Sequence, residues 1–265
     1  MPSPSPARIR TTCHAGVYTI TLDDPARRNA LSTALFEQLE SAFAGAHEAA
    51  TCGSIVIVRL RATGPAFCSG FDLEECVRSE HTLGEFVRRL GALASAIRVL
   101  PAIVVAEVQG PALAGGCALV AACDIVCAST QATFGYPVHR IGVSPAVSLP
   151  MLLATIWCGR ARTLALSGEI IDAARAKAIG LVAHLAPDHL ALDALVSTLV
   201  QAACAKSPVA LRATKLWLNE LDGTLPTGQL GSRADAATEA TAALCELADS
   251  RQLLSDFWRS RRNPA

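Results

Sequence analysis

The sequence predicts an α/β fold, and three observations predict it. Runs rich in β-branched residues have the length of strands, as in Val17–Leu22, 55–60 and Ile103–Val108. Between them lie segments with apolar residues at three-to-four spacing, such as Leu31, Leu35, Leu39 and Phe43. From about Ser144 onward, helical segments dominate.

Residues 1–12, rich in proline and serine, read as a disordered tail. Val17–Leu22 alternates like a half-buried strand, and 31–49 carries the first helical stripe. A second strand is expected at 55–60. A helix follows at 82–100, capped by Thr82 with Glu85 at the capping-box position and stopped by Pro101. Ile103–Val108 is the third strand, ended by Gly110-Pro111. Gly115–Ala122 is alanine-rich and helical, and 124–128 is a short buried strand. Further helices are expected at 145–158, Ala173–Ile179, 190–204 and Pro208–Leu221. Strands and helices thus alternate as strand–strand–helix units, with no repeat of fixed period.

The 265 residues sit at the upper edge for one domain, and with 51% hydrophobic and 17% charged residues a large core is available. Lysine plus arginine number 23 and aspartate plus glutamate 23, so the formal charge is zero. That balance argues against nucleic acid or an anionic membrane as an electrostatic partner and favours self-association. The ten cysteines form no CxxC pair and no Cys/His metal spacing, which reads as buried, reduced thiols, no metal and a cytoplasmic protein. No secretory h-region and no transmembrane span are expected.

Two stretches carry chemistry. Gly115-Gly116 opens a helix, where amide N–H groups lack intrahelical partners and the helix dipole adds positive character. Such a start can hold an oxygen that becomes negative; it can equally be a tight-packing device. The second stretch, Pro65-Ala66-Phe67-Cys68-Ser69-Gly70-Phe71-Asp72-Leu73, follows the strand at 55–60. Together they resemble the crotonase superfamily, the enoyl-CoA hydratases and isomerases. The likeness extends to Ile20 through Pro25, Arg28-Asn29-Ala30-Leu31, Phe134-Gly135-Tyr136-Pro137, Arg140-Ile141-Gly142, Leu166-Ser167-Gly168 and Ala178 through Val182, in family order over residues 15–262.

The resemblance implies a crotonase-like ββα spiral over 13–200 and a helical C-terminal region, 201–265, that makes trimer contacts in a homotrimer or dimer of trimers. It implies an acyl-CoA thioester as substrate, with coenzyme A present as part of that substrate and no tightly bound cofactor. Backbone N–H groups of Ser69 and Gly115 would stabilise the thioester enolate. Family hydratases also carry two glutamates; the matching positions are Ala118 and Val138, which can neither accept a proton nor orient water. Their loss argues against ordinary hydration. His139 is the candidate substitute acid/base, with Tyr136, Glu74, Glu75 and His81 as weaker ones. For the coenzyme, the resemblance points to Arg27, Arg28, Asp72, Leu73, Phe257 and Arg261, the last two on a tail that approaches the coenzyme of a neighbouring subunit. Two functions follow: an acyl-CoA enzyme using isomerisation, decarboxylation or hydrolysis, or a non-catalytic acyl-CoA-binding or assembly subunit. No GxSxG elbow, P-loop or HExxH motif supports another chemistry.

Overall fold

The chain winds in strand–strand–helix turns in a computed structural model that describes residues 8–222, 235, 238–243, 245–246 and 248–262. The first strands are β1 (Ile9–His14) and β2 (Val17–Leu22), joined by the tight turn Ala15-Gly16. Then come α1 (Thr33–Thr51), β3 (Ile57–Ala62), α2 (Leu73–Arg78), α3 (Thr82–Val99) and β4 (Ile103–Val108). The middle of the chain adds β5 (Ala112–Leu113), α4 (Gly115–Ala122), β6 (Ile125–Ser129) and β7 (Thr133–Gly135). After it lie α5 (Leu149–Thr155), α6 (Cys158–Ser167), β8 (Ile170–Asp172), α7 (Ala173–Ile179) and β9 (His184–Ala186). Helices α8 (His189–Cys204), α9 (Pro208–Leu221) and α10 (Ala248–Arg262) close the described chain.

The main sheet has the order β1-β2-β3-β4-β6-β9. Only β1 runs antiparallel to its neighbour. A second sheet, β5-β7-β8, lies one strand further along each turn. The isolated bridges Leu31↔Phe71 and Cys68↔Ala112 extend that second layer back to the earlier turns. This is the expected spiral: each turn gives one strand to the main sheet, one strand or bridge to the second, and a helix.

The period-two alternation of β3 and β4 divides the core. Val58, Leu60, Val104 and Ala106 face the interior of the spiral, while Ile57 and Val105 pack beneath Leu192, Val196 and Val200 of α8. Glu107 stands on the α8 side and is 1% exposed. Its carboxylate is held by Arg59 and, at 3.1 Å, by Arg61, and both arginines also reach Asp193 of α8. A buried charge is tolerable only when paired in this way.

Three expectations need correction. The tail at 1–12 is shorter than expected: residues 9–12 pair with β2 from Ile9↔Leu22 onward and so belong to the sheet edge; residues 1–7 lie outside the described residues. Helix α3 is capped at His81, with no side-chain cap bond, so Thr82 is inside the helix. The helix expected at 145–158 is a 3₁₀ turn, Pro145–Ser148, then α5, then a break before α6 begins at Cys158. Finally, α2 and the short strands β5, β7, β8 and β9 were too brief for a periodic signal.

Candidate active site

The end of β5 and the start of α4 set the geometry. Parallel pairing of β5 with β7 puts Leu113 opposite Gly135, and the Ala114 N–H donates to the Gly135 carbonyl at 2.8 Å. Ala114 then turns the chain with φ 51° and ψ −115°, a conformation a residue with a Cβ rarely adopts. The turn presents the Gly115 N–H at the head of α4. That N–H has no protein partner among the described residues.

The two helix glycines have different duties. A Cβ on Gly116 would lie 2.4 Å from the Cys68 carbonyl oxygen, so Gly116 is the packing glycine that lets α4 meet the Cys68–Phe71 segment. Gly70, at φ +94°, brings that segment alongside; its Cβ position is only 3.6 Å from the Gly115 nitrogen. Ser69, next to Gly70 in the chain, is thereby brought near Gly115. Its N–H is not free, however: it donates to the Arg28 carbonyl at 3.1 Å. One of the two expected donors is unengaged and the other is shared.

Ser69 and Gly115 border a cavity of about 150 Å³. Its walls are largely apolar: Phe71, Leu73, Val87 and Leu90 on one side, Ile141 and Val147 on the other. Phe71 is braced by Phe86 at a ring separation of 5.7 Å and by Phe36 at 6.2 Å; such pairs contribute about 0.5–1.5 kcal/mol beyond burial. Phe257 of α10 also lines the cavity. The tail therefore packs over the site of its own chain. Arg261 lies on the same helix, and its side chain is outside the described residues.

No carboxylate and no imidazole lines the cavity among the described residues. Val138 is on its wall, and Ala118, one turn beyond Gly115, is buried behind it. His139 does not replace them. Residues 139–141 form a 3₁₀ turn that buries Ile141 and leaves His139 exposed, its ring facing Gly168 outside the cavity. Glu75 accepts from the N–H and hydroxyl of Thr33, Glu74 pairs with Arg78, and His81 is exposed at the start of α3.

The polar side chains among the lining residues all carry hydroxyls: Ser69, Ser144, Ser148 and Tyr136. Tyr136 is 1% exposed, and its hydroxyl has no hydrogen-bond partner among the described residues. Burial pushes it well above its ordinary range, so it is a neutral donor. Ser144 caps the 3₁₀ turn through the Ala146 N–H. Ser144 and Ser148 were not foreseen; the Ser-Pro step at 144–145 was their only signal.

The coenzyme candidates divide. Asp72 caps α2 by accepting from the Glu74 and Glu75 N–H groups, and it pairs with Arg27 at 3.1 Å. Arg28 is exposed beside them, and Leu73 belongs to the cavity wall. No group of three His, Cys, Asp or Glu able to hold a metal occurs among the described residues, and no single helix there is long and apolar enough to cross a membrane.

With this geometry in hand, comparison with known proteins is informative. The family model described as enoyl-CoA hydratase/isomerase matches residues 12–238. An enoyl-CoA isomerase/hydratase of Mycosarcoma maydis is 32% identical, covering 93% of this chain and 91% of the relative. A 2,3-dehydroadipyl-CoA hydratase of Escherichia coli is 34% identical over 77% of this chain and 78% of its own length. Among solved structures, an enoyl-CoA hydratase from Mycobacterium avium superposes with a TM-score of 0.79 at 32% identity, covering 97% of this chain and 98% of that one. An enoyl-CoA hydratase/isomerase from Xanthobacter autotrophicus Py2 gives 0.83 at 27% identity, with 98% and 99% covered.

Proposed function

The chain belongs to the enoyl-CoA hydratase/isomerase family, and from that premise we propose that it seats a CoA thioester with the carbonyl oxygen on the Gly115 N–H and the acyl group in the apolar cavity. The observation that carries this reading is the unengaged Gly115 amide, turned by Ala114 to the mouth of a cavity lined by aliphatic and aromatic side chains. Stabilising the thioester oxygen makes the α-carbon more acidic and the carbonyl more electrophilic. Coenzyme A enters as part of the substrate, its phosphates reaching the exposed Arg27 and Arg28, whose forked guanidinium groups suit them.

Ordinary hydration is not the expected reaction. Water addition needs a base and an acid beside the thioester, and no carboxylate or imidazole lines the cavity among the described residues. The enzyme reading therefore favours chemistry in which the substrate carries its own leaving group or proton acceptor, such as decarboxylation. The second reading is a non-catalytic acyl-CoA-binding subunit, and the same lack of carboxylates and imidazoles favours it. Titration calorimetry with crotonyl-CoA and butyryl-CoA, run beside turnover assays, tests both. Binding with turnover selects the enzyme, binding without turnover selects the carrier, and no binding of either thioester overturns the proposal.

We extend the reading to self-association as a trimer or dimer of trimers through the C-terminal region. Its support is the exposed apolar face of α9, with Leu216, Trp217, Leu218 and Leu221 each more than half exposed in the single chain. A light-scattering mass equal to one chain at micromolar concentration would sink it. A reducing cytoplasm remains the compartment the cysteine usage favours.

A further inference from the structure

Tyr136 is the anomaly of the cavity. A phenol hydroxyl buried without a partner is costly to a fold, and phenylalanine would fill the same space without that cost. The Cys117 thiol and the Ser148 hydroxyl lie close enough to act on its proton, but among the described residues no hydrogen bond of full geometry satisfies it. Burial pushes the Cys117 thiol up to about 11, so both neighbours are uncharged near neutral pH. Tyr136 can thus donate but cannot serve as a base.

Its place in the fold gives that donor a direction. Gly135 is paired with Leu113, and its carbonyl holds the Ala114 N–H. Tyr136 therefore stands directly beside the peptide that presents the Gly115 N–H. Val138 and Ala118, the two neighbours that could have been carboxylates, are apolar. An acyl chain leaving a thioester held at Gly115 passes a wall whose buried unmatched polar atom is the Tyr136 hydroxyl.

We infer that Tyr136 is a specificity-determining residue that donates a hydrogen bond to a keto oxygen on the acyl chain, and that the site takes oxo-acyl-CoA thioesters in preference to hydrocarbon acyl-CoAs. The inference rests on the reading that a CoA thioester seats at Gly115. A keto oxygen is a fitting complement because it accepts, and the protonated Tyr136 hydroxyl has a proton to donate. A saturated chain in the same cavity leaves the hydroxyl as unmatched as it is now.

The test compares acetoacetyl-CoA and 4-oxopentanoyl-CoA with butyryl-CoA and pentanoyl-CoA, matched in carbon number, by titration calorimetry on the full chain. At least one oxo-acyl thioester should bind about tenfold more tightly than its hydrocarbon partner, the worth of one buried hydrogen bond. Tyr136→Phe should abolish that preference and melt at the same temperature as the parent or higher, since it removes an unmatched group. Equal affinities within both pairs overturn the inference, as does a preference that survives in Tyr136→Phe. A Tyr136→Phe protein that melts lower also overturns it, because the hydroxyl then has a partner within the fold. If no thioester binds at all, the seating at Gly115 fails first; if the hydrocarbon thioesters bind and no preference is seen, only the role of Tyr136 fails.

Discussion

The Ser69 N–H donates to the carbonyl oxygen of Arg28, while the Gly115 N–H beside it is unengaged. The Arg28 carbonyl is held firmly. Arg28 and Asn29 both take positive φ, 56° and 52°, and the buried Asn29 amide donates to the Thr63 and Ala66 carbonyls at 3.0 and 2.9 Å. The loop that carries Arg27 and Arg28 is thereby tied to the segment that carries Ser69. On the proposed seating, a thioester oxygen would meet one open donor at Gly115 and one it must share with Arg28.

The absent carboxylates lead to the first prediction. Crotonyl-CoA hydration should be very slow or undetectable, and Ala118→Glu with Val138→Glu should raise it. A general acid or base contributes roughly 10²–10⁴-fold, and two that act together need not add. Because Ala118 is buried, circular dichroism must show that the double variant folds. A folded double variant that binds crotonyl-CoA without gaining hydration would mean that the Gly115 amide does not hold the thioester oxygen.

Ala114 supplies the second prediction. Its φ of 51° with ψ −115° is strained for any residue with a Cβ, at a cost of order 1–3 kcal/mol. Glycine relieves the strain but adds freedom to the unfolded chain, worth about 0.4–1 kcal/mol. The net for Ala114→Gly is a gain of about 1 kcal/mol, or roughly 2–4 °C in Tm for a chain of this size. Scanning calorimetry reads it directly. A lower Tm would show that the Ala114 methyl contributes more through packing than its backbone loses through strain.

Much of this was legible in the residues themselves. The long strands β2 and β4 and helices α4, α7 and α9 fall where periodicity and turn residues placed them, because each is regular enough to declare its period. Strand β1 was hidden by the proline-rich residues before it and by a burial pattern that is almost wholly exposed. Its partner in β2, not its own composition, makes it a strand. The position of Ser69 beside Gly115 was readable from motif order, but the bond from Ser69 to Arg28 was not, since it depends on two consecutive left-handed residues. His139 was misplaced for a similar reason: whether a loop continues straight or coils into a 3₁₀ turn decides which side chain faces the cavity.

The third prediction concerns how α9 is docked. Its inner face carries Arg212, Lys215 and Asn219, which donate to the carbonyls of Ala50, of Ile97 and Ala102, and of Arg98. Most of these carbonyls end α1 and α3, where a cation also meets the favourable end of the helix dipole. Lys215 further pairs with Asp124 at 2.7 Å, just beyond α4. Burial pulls the Lys215 ammonium below its ordinary range, with Asp124 opposing that shift. Lys215→Met should therefore cost about 3–5 kcal/mol, and adding Asp124→Asn should restore part of it by removing the unpaired charge. Urea unfolding measures both. A loss below about 1 kcal/mol for the single variant would mean that water replaces the ammonium at no cost.

The last prediction is an alkaline loss of stability set by buried thiols. Burial pushes Cys68 up to about 12 and Cys117, Cys127 and Cys245 up to about 11, from an ordinary 9.0. Below pH 9 these groups are protonated in both the folded and the unfolded chain and favour neither. Above pH 9 the unfolded chain releases protons that the folded chain still holds, so stability falls as pH rises, until the folded thiols also ionise near pH 11–12. Each thiol contributes about 1.4 kcal/mol per pH unit across that window. The buried Tyr136 hydroxyl adds a loss of the same sign above pH 10. Urea midpoints taken from pH 8 to 10.5 under reducing conditions should therefore fall with increasing steepness. The pair Cys68→Ala and Cys127→Val should flatten the fall by removing two of the contributing groups. The exposed Cys52 gives an internal contrast: its bond to Ser54 lowers its pKa, so it should alkylate early in the native protein while the buried thiols stay protected. A midpoint independent of pH up to 10.5, or a slope unchanged in the double variant, would show that these thiols do not hold their protons in the folded chain.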